Sequence, residues 1–267
     1  MKHNDIKVHI LGSCSGTEPY PQRHHTSVAI ETDTSLYWLD AGEGCSYTAH
    51  LQGIDLLKTK AIFISHNHMD HIGGLGNLLW TIRKLSVFQE RDTMHPQIQT
   101  ILPYVEAYDG IMQLLRYTEG DFKCKHSHSV KAMSEGVPYE DASLKLTAIH
   151  NNHLPYDSSQ GWKSYSFQVK IGEKVIIYTG DYEDGDLDSI LPDHCSLLLI
   201  ETGHHKLETI FEELQRSNKT VEKIGFVHHG LYILNHLEEA EQKVQQLWGS
   251  KAFISKDGQT ITFDFIT

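Results

Sequence analysis

Short apolar blocks recur along this chain, each bounded by glycine, proline or small polar residues, and most are too short for a helix. That pattern predicts strands joined by turns, with a few longer stretches of helical period between them. Lys7 to Leu11 reads as a strand ended by Gly12, and Ser13 to Arg23, with Gly16, Pro19 and Pro21, reads as a loop. Strands follow at Ser27 to Glu31 and Ser35 to Leu39. The second runs into the sharp turn Asp40-Ala41-Gly42-Glu43-Gly44, and a helix from about Ser46 to Gln52 is closed by Gly53. Ala61-Ile62-Phe63-Ile64-Ser65 is apolar and β-branched, which predicts a buried strand.

Leu75 to Leu85 and Val105 to Tyr117 then read as helices, the latter with Ile111, Leu114 and Leu115 on one face, and Ile98 to Leu102 as a strand stopped by Pro103. Glu119 to Tyr139 is mixed and polar and predicts loop or short strands. Strand signals return at Leu144 to Ile149, Ser164 to Ile171, Lys174 to Tyr178, Leu197 to Ile200 and Ile224 to Val227. Leu207 to Arg216 is an amphipathic helix, and Leu237 to Trp248 a helix whose early Glu238, Glu239 and Glu241 suit the positive end of its dipole. Strands followed by helices, twice over, predict two sheets covered outside by helices. Nothing marks a linker, so the expectation is one domain over residues 1–267 with a helical and loop insertion at about 84–143.

Chemistry concentrates at His66-Asn67-His68-Met69-Asp70-His71, at the carboxyl end of a predicted buried strand, where ligands gather in layered α/β folds. Neutral imidazole nitrogen and carboxylate oxygen suit zinc, manganese or iron, and His-x-His on an extended segment projects both rings to one side. The turn at Gly73-Gly74 is expected to swing Asp70 and His71 toward a second ion. With 19 histidines in the chain some proximity is accidental, but the strand that delivers His66 argues against accident here. His126 and His128 repeat the spacing without a partner carboxylate and read as surface residues.

Two ions need further ligands at the ends of later strands. His153, Asp181 in Tyr178-Thr179-Gly180-Asp181, and His228 stand in those places, with Gly180 letting the backbone turn close to a ligand and the Asp181 carboxylate able to bridge two cations. His150 competes with His153 and His229 with His228; in each pair the other histidine would serve as a hydrogen-bonding support.

The remaining composition narrows the classes. Lys and Arg total 23 against 35 Asp and Glu, a net charge of −12, so the chain carries no global affinity for nucleic acid, although bound cations leave a phosphate substrate open. Cys14, Cys45, Cys124 and Cys195 show no Cys-x-x-Cys spacing and read as packed thiols rather than a disulfide framework or a thiolate zinc site. Met1 to Asp5 lacks the apolar core of a signal peptide and no stretch has the length of a membrane span, so no membrane association and a cytoplasmic location are expected.

The segments Leu11-Gly12-Ser13-Cys14-Ser15-Gly16, Arg23-His24-His25-Thr26-Ser27, Leu39 to Gly44 and Ser65 to His71, with the later turns, resemble the metallo-β-lactamase superfamily and within it the ribonuclease Z-like branch. The similarity spans nearly the whole chain. It implies an α/β (α+β) four-layer αββα sandwich, the metallo-β-lactamase fold, with a dinuclear site along one edge of the two sheets. It implies that His66, His68 and His153 hold one ion and Asp70, His71 and His228 the other, with Asp181 and a hydroxide between them and Asp40 supporting a ligand histidine. The branch's leaving-group Glu is matched by Glu201 in Leu199-Ile200-Glu201-Thr202, whereas its His-Ser-Thr is absent and His204 or His205 lies where that histidine would fall. The tRNA-binding arm is not evident, and His229-Gly230-Leu231-Tyr232 replaces the Ser and Arg expected after the last ligand.

The function expected from these residues and that resemblance is a hydrolase using two divalent ions, zinc before manganese or iron. Its phosphodiester substrate is RNA or a small nucleotide diester, with Asp70 orienting the nucleophile and His204 or His205, held by Glu201, protonating the leaving oxygen. The same core also opens small esters, thioesters and lactones. A metal-binding regulatory module without turnover is a further reading, against which the full ligand set speaks, and a di-iron redox protein another, for which Met69 stands where an extra carboxylate would lie. The resemblance alone suggests a homodimer.

Overall fold

The computed structural model of the protein describes residues 5–263. These form two compact units: residues up to 13, 21–132 and from 256 in the first, and 14–20 with 133–255 in the second. The exchange points carry no linker composition, which is why the division was not visible in the sequence.

In chain order the first unit holds β1 (Ile6–Gly12), β2 (Ser27–Glu31), β3 (Leu36–Leu39), α1 (Cys45–Leu51), β4 (Thr59–Phe63), α2 (Met69–Ile72), α3 (Leu75–Phe88), β5 (Gln97–Leu102), α4 (Val105–Leu115) and β6 (Ser127–Ala132). The second holds β7 (Gly136–Glu140), β8 (Lys145–His150), β9 (Tyr165–Ile171), β10 (Lys174–Tyr178), α5 (Leu187–Ile190), β11 (His194–Thr202), α6 (Leu207–Ser217), β12 (Thr220–His229), α7 (Leu231–Asn235), α8 (Leu237–Trp248) and β13 (Ala252–Ile254); β14 (Gln259–Phe263) returns to the first. Each unit is one seven-stranded mixed sheet, ordered β14-β1-β2-β3-β4-β5-β6 and β13-β12-β11-β10-β9-β8-β7.

Each sheet carries its own helical layer. Leu75, Leu78, Leu79 and Ile82 of α3 and Ala49 of α1 pack with Trp38, Ile62 and Ile98 of the first sheet, while Ile210 of α6 and Ala240 and Val244 of α8 pack with Ile177, Leu198, Ile224 and Phe226 of the second. Full burial of such side chains contributes roughly 1.5–3 kcal/mol each, which holds helix to sheet. Each half is thus the pairing of sheet and helices that an αββα architecture requires.

Parallel neighbours β3, β4 and β5 run as the apolar blocks suggested, because strands whose side chains are buried on both faces lose the polar alternation that would mark an exposed one. The stretch 84–143 contributes β5 and β6 to the first sheet and β7 to the second. Its polar strands β6 and β7 lie at the sheet edges, where a weak apolar pattern suffices, and they take the second of the two readings, loop or short strands, that Glu119 to Tyr139 allowed. His126, expected at the surface, is buried at 6% exposure. The short helices α2, α5 and α7 and the strands β13 and β14 were also unforeseen. No helix among the described residues is long and apolar enough to cross a membrane.

Candidate metal centre

In the first unit the chain leaves β3 into Asp40, which adopts a left-handed backbone (φ 61°) that aspartate tolerates better than most residues. Its carboxylate is fully buried and accepts three hydrogen bonds: from the Ser65 backbone N–H at 2.6 Å, the Ser65 hydroxyl at 2.7 Å and His71 Nδ1 at 2.7 Å. Ser65 Oγ, having given its proton to Asp40, accepts from His66 Nδ1 at 3.1 Å. This network assigns the proton to Nδ1 of both His66 and His71 and presents Nε2 of each as an electron-pair donor.

Those nitrogens face further donors. His66 Nε2 lies 3.0 Å from His68 Nδ1, and His71 Nε2 lies 3.4 Å from an Asp70 oxygen. A zinc ion about 2.0–2.1 Å from two tetrahedral ligand atoms would set them about 3.3–3.4 Å apart, which the His71–Asp70 pair matches and the His66–His68 pair approaches within a few tenths of an ångström. The turn that brings Asp70 and His71 round is made by α2 immediately after His68, a one-turn helix, and not by Gly73-Gly74 as the sequence suggested. It is held down by Ala41 N–H to His71 O (2.7 Å) and Gly74 N–H to Ala41 O (2.8 Å). A Cβ at Gly42 would sit 2.4 Å from Asp70 O, so this close approach requires glycine.

In the second unit β10 ends at Tyr178, and Gly180, at φ 56°, turns the chain so that Asp181 points back among histidines. One Asp181 oxygen lies 3.2 Å from His228 Nε2 and the other 3.6 Å from His153 Nε2. Two oxygens addressed separately to two imidazoles are what a carboxylate shared by two cations needs. Asp181, His204 and His228 also form a group able to hold an ion.

The competing histidines lie elsewhere. His150 stacks on Trp162 with ring centroids 4.2 Å apart and bonds Glu135 at 2.9 Å; His229 is fully buried between the Thr202 hydroxyl at 2.8 Å and the Ser255 carbonyl at 3.1 Å. His204 and His205 separate as clearly. His204 Nδ1 bonds Glu201 at 2.9 Å with the side chain 47% exposed, whereas the His205 side chain is only 6% exposed, stacked on Tyr182 and engaged at both nitrogens, by the Tyr182 carbonyl at 2.9 Å and Asp184 at 3.1 Å. The bond to Glu201 raises the His204 imidazole above its ordinary pKa against the opposing effect of burial. Burial pushes the Glu201 carboxyl up, and hydrogen bonds from His204 and His228 outweigh it and hold the group below the usual carboxylate range.

Three positioning residues carried no recognisable role in the sequence. Ser65 relays Asp40 to His66. Asn151, fully buried, bonds Ser166 Oγ at 3.0 Å and accepts the His153 N–H at 3.3 Å. Asp186 accepts the N–H groups of Asn152 and Glu183, each at 2.9 Å, tying the loop of His153 to the loop after Asp181. The aspartate-rich run Asp184-Gly185-Asp186 is the one signal for it, since such residues cap turns.

Residues 6–254 match the family described as Anti-Pycsar protein Apyc1. A ribonuclease Z of Picrophilus torridus is 29% identical over 178 residues, 64% of this chain and 49% of that protein. The chain spans from a quarter to about a half of the length of the curated relatives it matches (24–49%). Among solved structures, the short form of human tRNase Z superposes with a TM-score of 0.67 at 17% identity, covering 96% of this chain and 98% of that one. The metallo-β-lactamase fold protein YhfI of Bacillus subtilis gives 0.66 at 15% identity, covering 97% and 100%. The chain therefore has the metallo-β-lactamase fold, and its resemblance to ribonuclease Z extends from the opening motifs to the whole architecture.

Proposed function

The chain belongs to the Anti-Pycsar Apyc1 family, and from that premise we propose that it is a metal-dependent hydrolase that cleaves a nucleotide phosphodiester at a centre of two divalent cations. In this reading His66, His68 and His153 hold one ion, Asp70, His71 and His228 the other, and Asp181 both. The observation that carries it is Asp181, whose two oxygens are addressed separately to His153 and His228. When bound, such a pair supplies water ionised near neutral pH and neutralises charge on the phosphoryl oxygens. Nitrogen and oxygen donors with no thiolate fit zinc, with manganese next.

The chain's own residues supply the rest. Asp70 orients the attacking water. His204, its Nδ1 engaged by Glu201, presents Nε2 to protonate the leaving oxygen, a role for which its exposure favours it over His205. Asp40 and Ser65 keep the ligand nitrogens of His71 and His66 deprotonated and aimed.

The ribonuclease Z relatives bring RNA forward as substrate. The net charge of −12, and the lack of a recognisable tRNA-binding arm, favour a small nucleotide diester instead. We place the protein in the cytoplasm, consistent with four free cysteines, and assign it a homodimer, for which Phe88 (76%), Leu114 (69%) and Tyr117 (86%) are exposed apolar side chains at the ends of α3 and α4.

Purified protein loaded with zinc or manganese is expected to hydrolyse bis(p-nitrophenyl) phosphate and a small nucleotide diester faster than a thioester, a lactone or precursor tRNA. Absence of diester turnover with every metal would overturn the reading. Turnover of the thioester or lactone alone would favour the ester-hydrolase alternative.

A further inference from the structure

A second group of soft ligands lies in the first unit, in residues the proposed phosphodiesterase centre does not use. Cys124 and His126 lie in the bend that leads into β6, and His128 is its second residue, so that the three alternate along a short stretch of chain. One ligand atom from each lies within 4.8 Å of the others. His126 is 6% exposed, and His128 and Cys124 are half-buried. None of the four ring nitrogens of His126 and His128 has a hydrogen-bond partner, although all are buried. Buried polar atoms are nearly always satisfied; here the two rings pack on each other at a centroid distance of 4.8 Å, and His128 stacks on Phe122 at 5.6 Å.

We propose that Cys124, His126 and His128 bind a zinc ion at a site separate from the hydrolytic one. One thiolate and two imidazoles are a zinc donor set, with solvent in the fourth position. Zinc–ligand lengths of about 2.0–2.3 Å require donors about 3.4–3.6 Å apart, within a side-chain adjustment of what is seen. Burial keeps both imidazoles neutral, the state that binds metal. The Cys124 thiol, which donates to the Phe122 carbonyl at 3.4 Å, gives up its proton to solvent as the zinc–sulfur bond forms, one proton for each ion bound. Burial holds the Cys124 thiol above its ordinary pKa, so the bond to zinc has to draw off its proton; the nearby Arg83 charge works in that direction, and Arg83 Nε fixes the adjoining backbone through Lys123 O at 3.0 Å. The site pins the turn Gly120-Asp121-Phe122, in which all three residues have left-handed backbones (φ 67°, 52° and 51°), to the strand that follows. The sequence pattern alone concealed it because the cysteine and the two histidines carry no carboxylate and sit in a polar stretch.

Cobalt substitution under reducing conditions tests this, because only a site containing Cys124 gives a thiolate-to-cobalt charge-transfer band; the hydrolytic donors are nitrogen and oxygen alone. The cobalt protein is expected to show that band, and Cys124→Ser to lose it together with one equivalent of bound metal while retaining hydrolase activity. Should that variant fail to fold, zinc-loaded wild-type protein is expected to resist alkylation at Cys124 until a chelator is added. A cobalt protein with no thiolate band, or Cys124 alkylated equally fast with and without zinc, overturns the proposal, and neither result bears on the phosphodiesterase reading.

Discussion

Asp40 and His71 are both wholly buried, and Asp40 Oδ2 lies 2.7 Å from His71 Nδ1. The carboxylate thereby holds the ring with Nε2 toward Asp70. Asp40→Asn keeps the volume and tolerates the left-handed backbone but loses the charge. It is expected to weaken metal binding about 10–100-fold with little change in circular dichroism, measured by competition with a chromophoric chelator. Unaltered affinity would remove Asp40 from the support of the centre.

Removing the metals should separate the centre from the scaffold. Chelation is expected to abolish diester hydrolysis and readdition of zinc or manganese to restore it. Asp181→Asn, which replaces a charged ligand by a neutral amide of the same size, should bind fewer ions and stay inactive after readdition. A variant that retains both metals and full turnover would dissociate Asp181 from the chemistry.

His204 and His205 should fail differently. His204→Ala is expected to lower kcat by about 10²–10⁴ on a nucleotide diester and far less on a p-nitrophenyl ester, whose leaving group needs no proton. His205→Ala, which empties the space against Tyr182, should lower the midpoint of thermal unfolding instead. Equal loss on both substrates for His204→Ala would contradict a general-acid role.

Acid stability should depend on Glu31. Its hydrogen bond with His9 (3.1 Å), then the bond and charge of Lys58 (2.8 Å), hold the carboxyl at about 2 from an ordinary 4.5, against the effect of burial. A carboxyl depressed in the folded state stabilises above its unfolded pKa and ceases to do so as pH falls from about 4.5 to about 2. The contribution is on the order of 1–2 kcal/mol after allowance for solvent screening. Urea midpoints of wild type and Glu31→Gln should therefore differ at neutral pH and converge through that window; a gap independent of pH would rule the linkage out.

Much of the protein was legible in order along the chain. The strands Ser27–Glu31 and Lys174–Tyr178 and the helix Leu237–Trp248 fall where periodicity set them, because their side chains answer mainly to a buried or exposed face. The motif at His66 to His71 and the later Asp181 could be picked out as candidate ligands from residue type and position after strands, since a metal site draws on those donor atoms wherever the chain supplies them.

What tertiary structure decided are choices between neighbours. His150 turns to Glu135 and Trp162 while His153 faces Asp181; His229 is taken by Thr202 and Ser255 while His228 faces Asp181. His204 keeps an exposed ring while Tyr182 and Asp184 occupy His205. In each case the ring orientation is set by partners distant in sequence, of which local pattern holds no trace. The same reason hid the burial of His126: a histidine in a polar stretch is read as wet until the fold decides which of its neighbours exclude water.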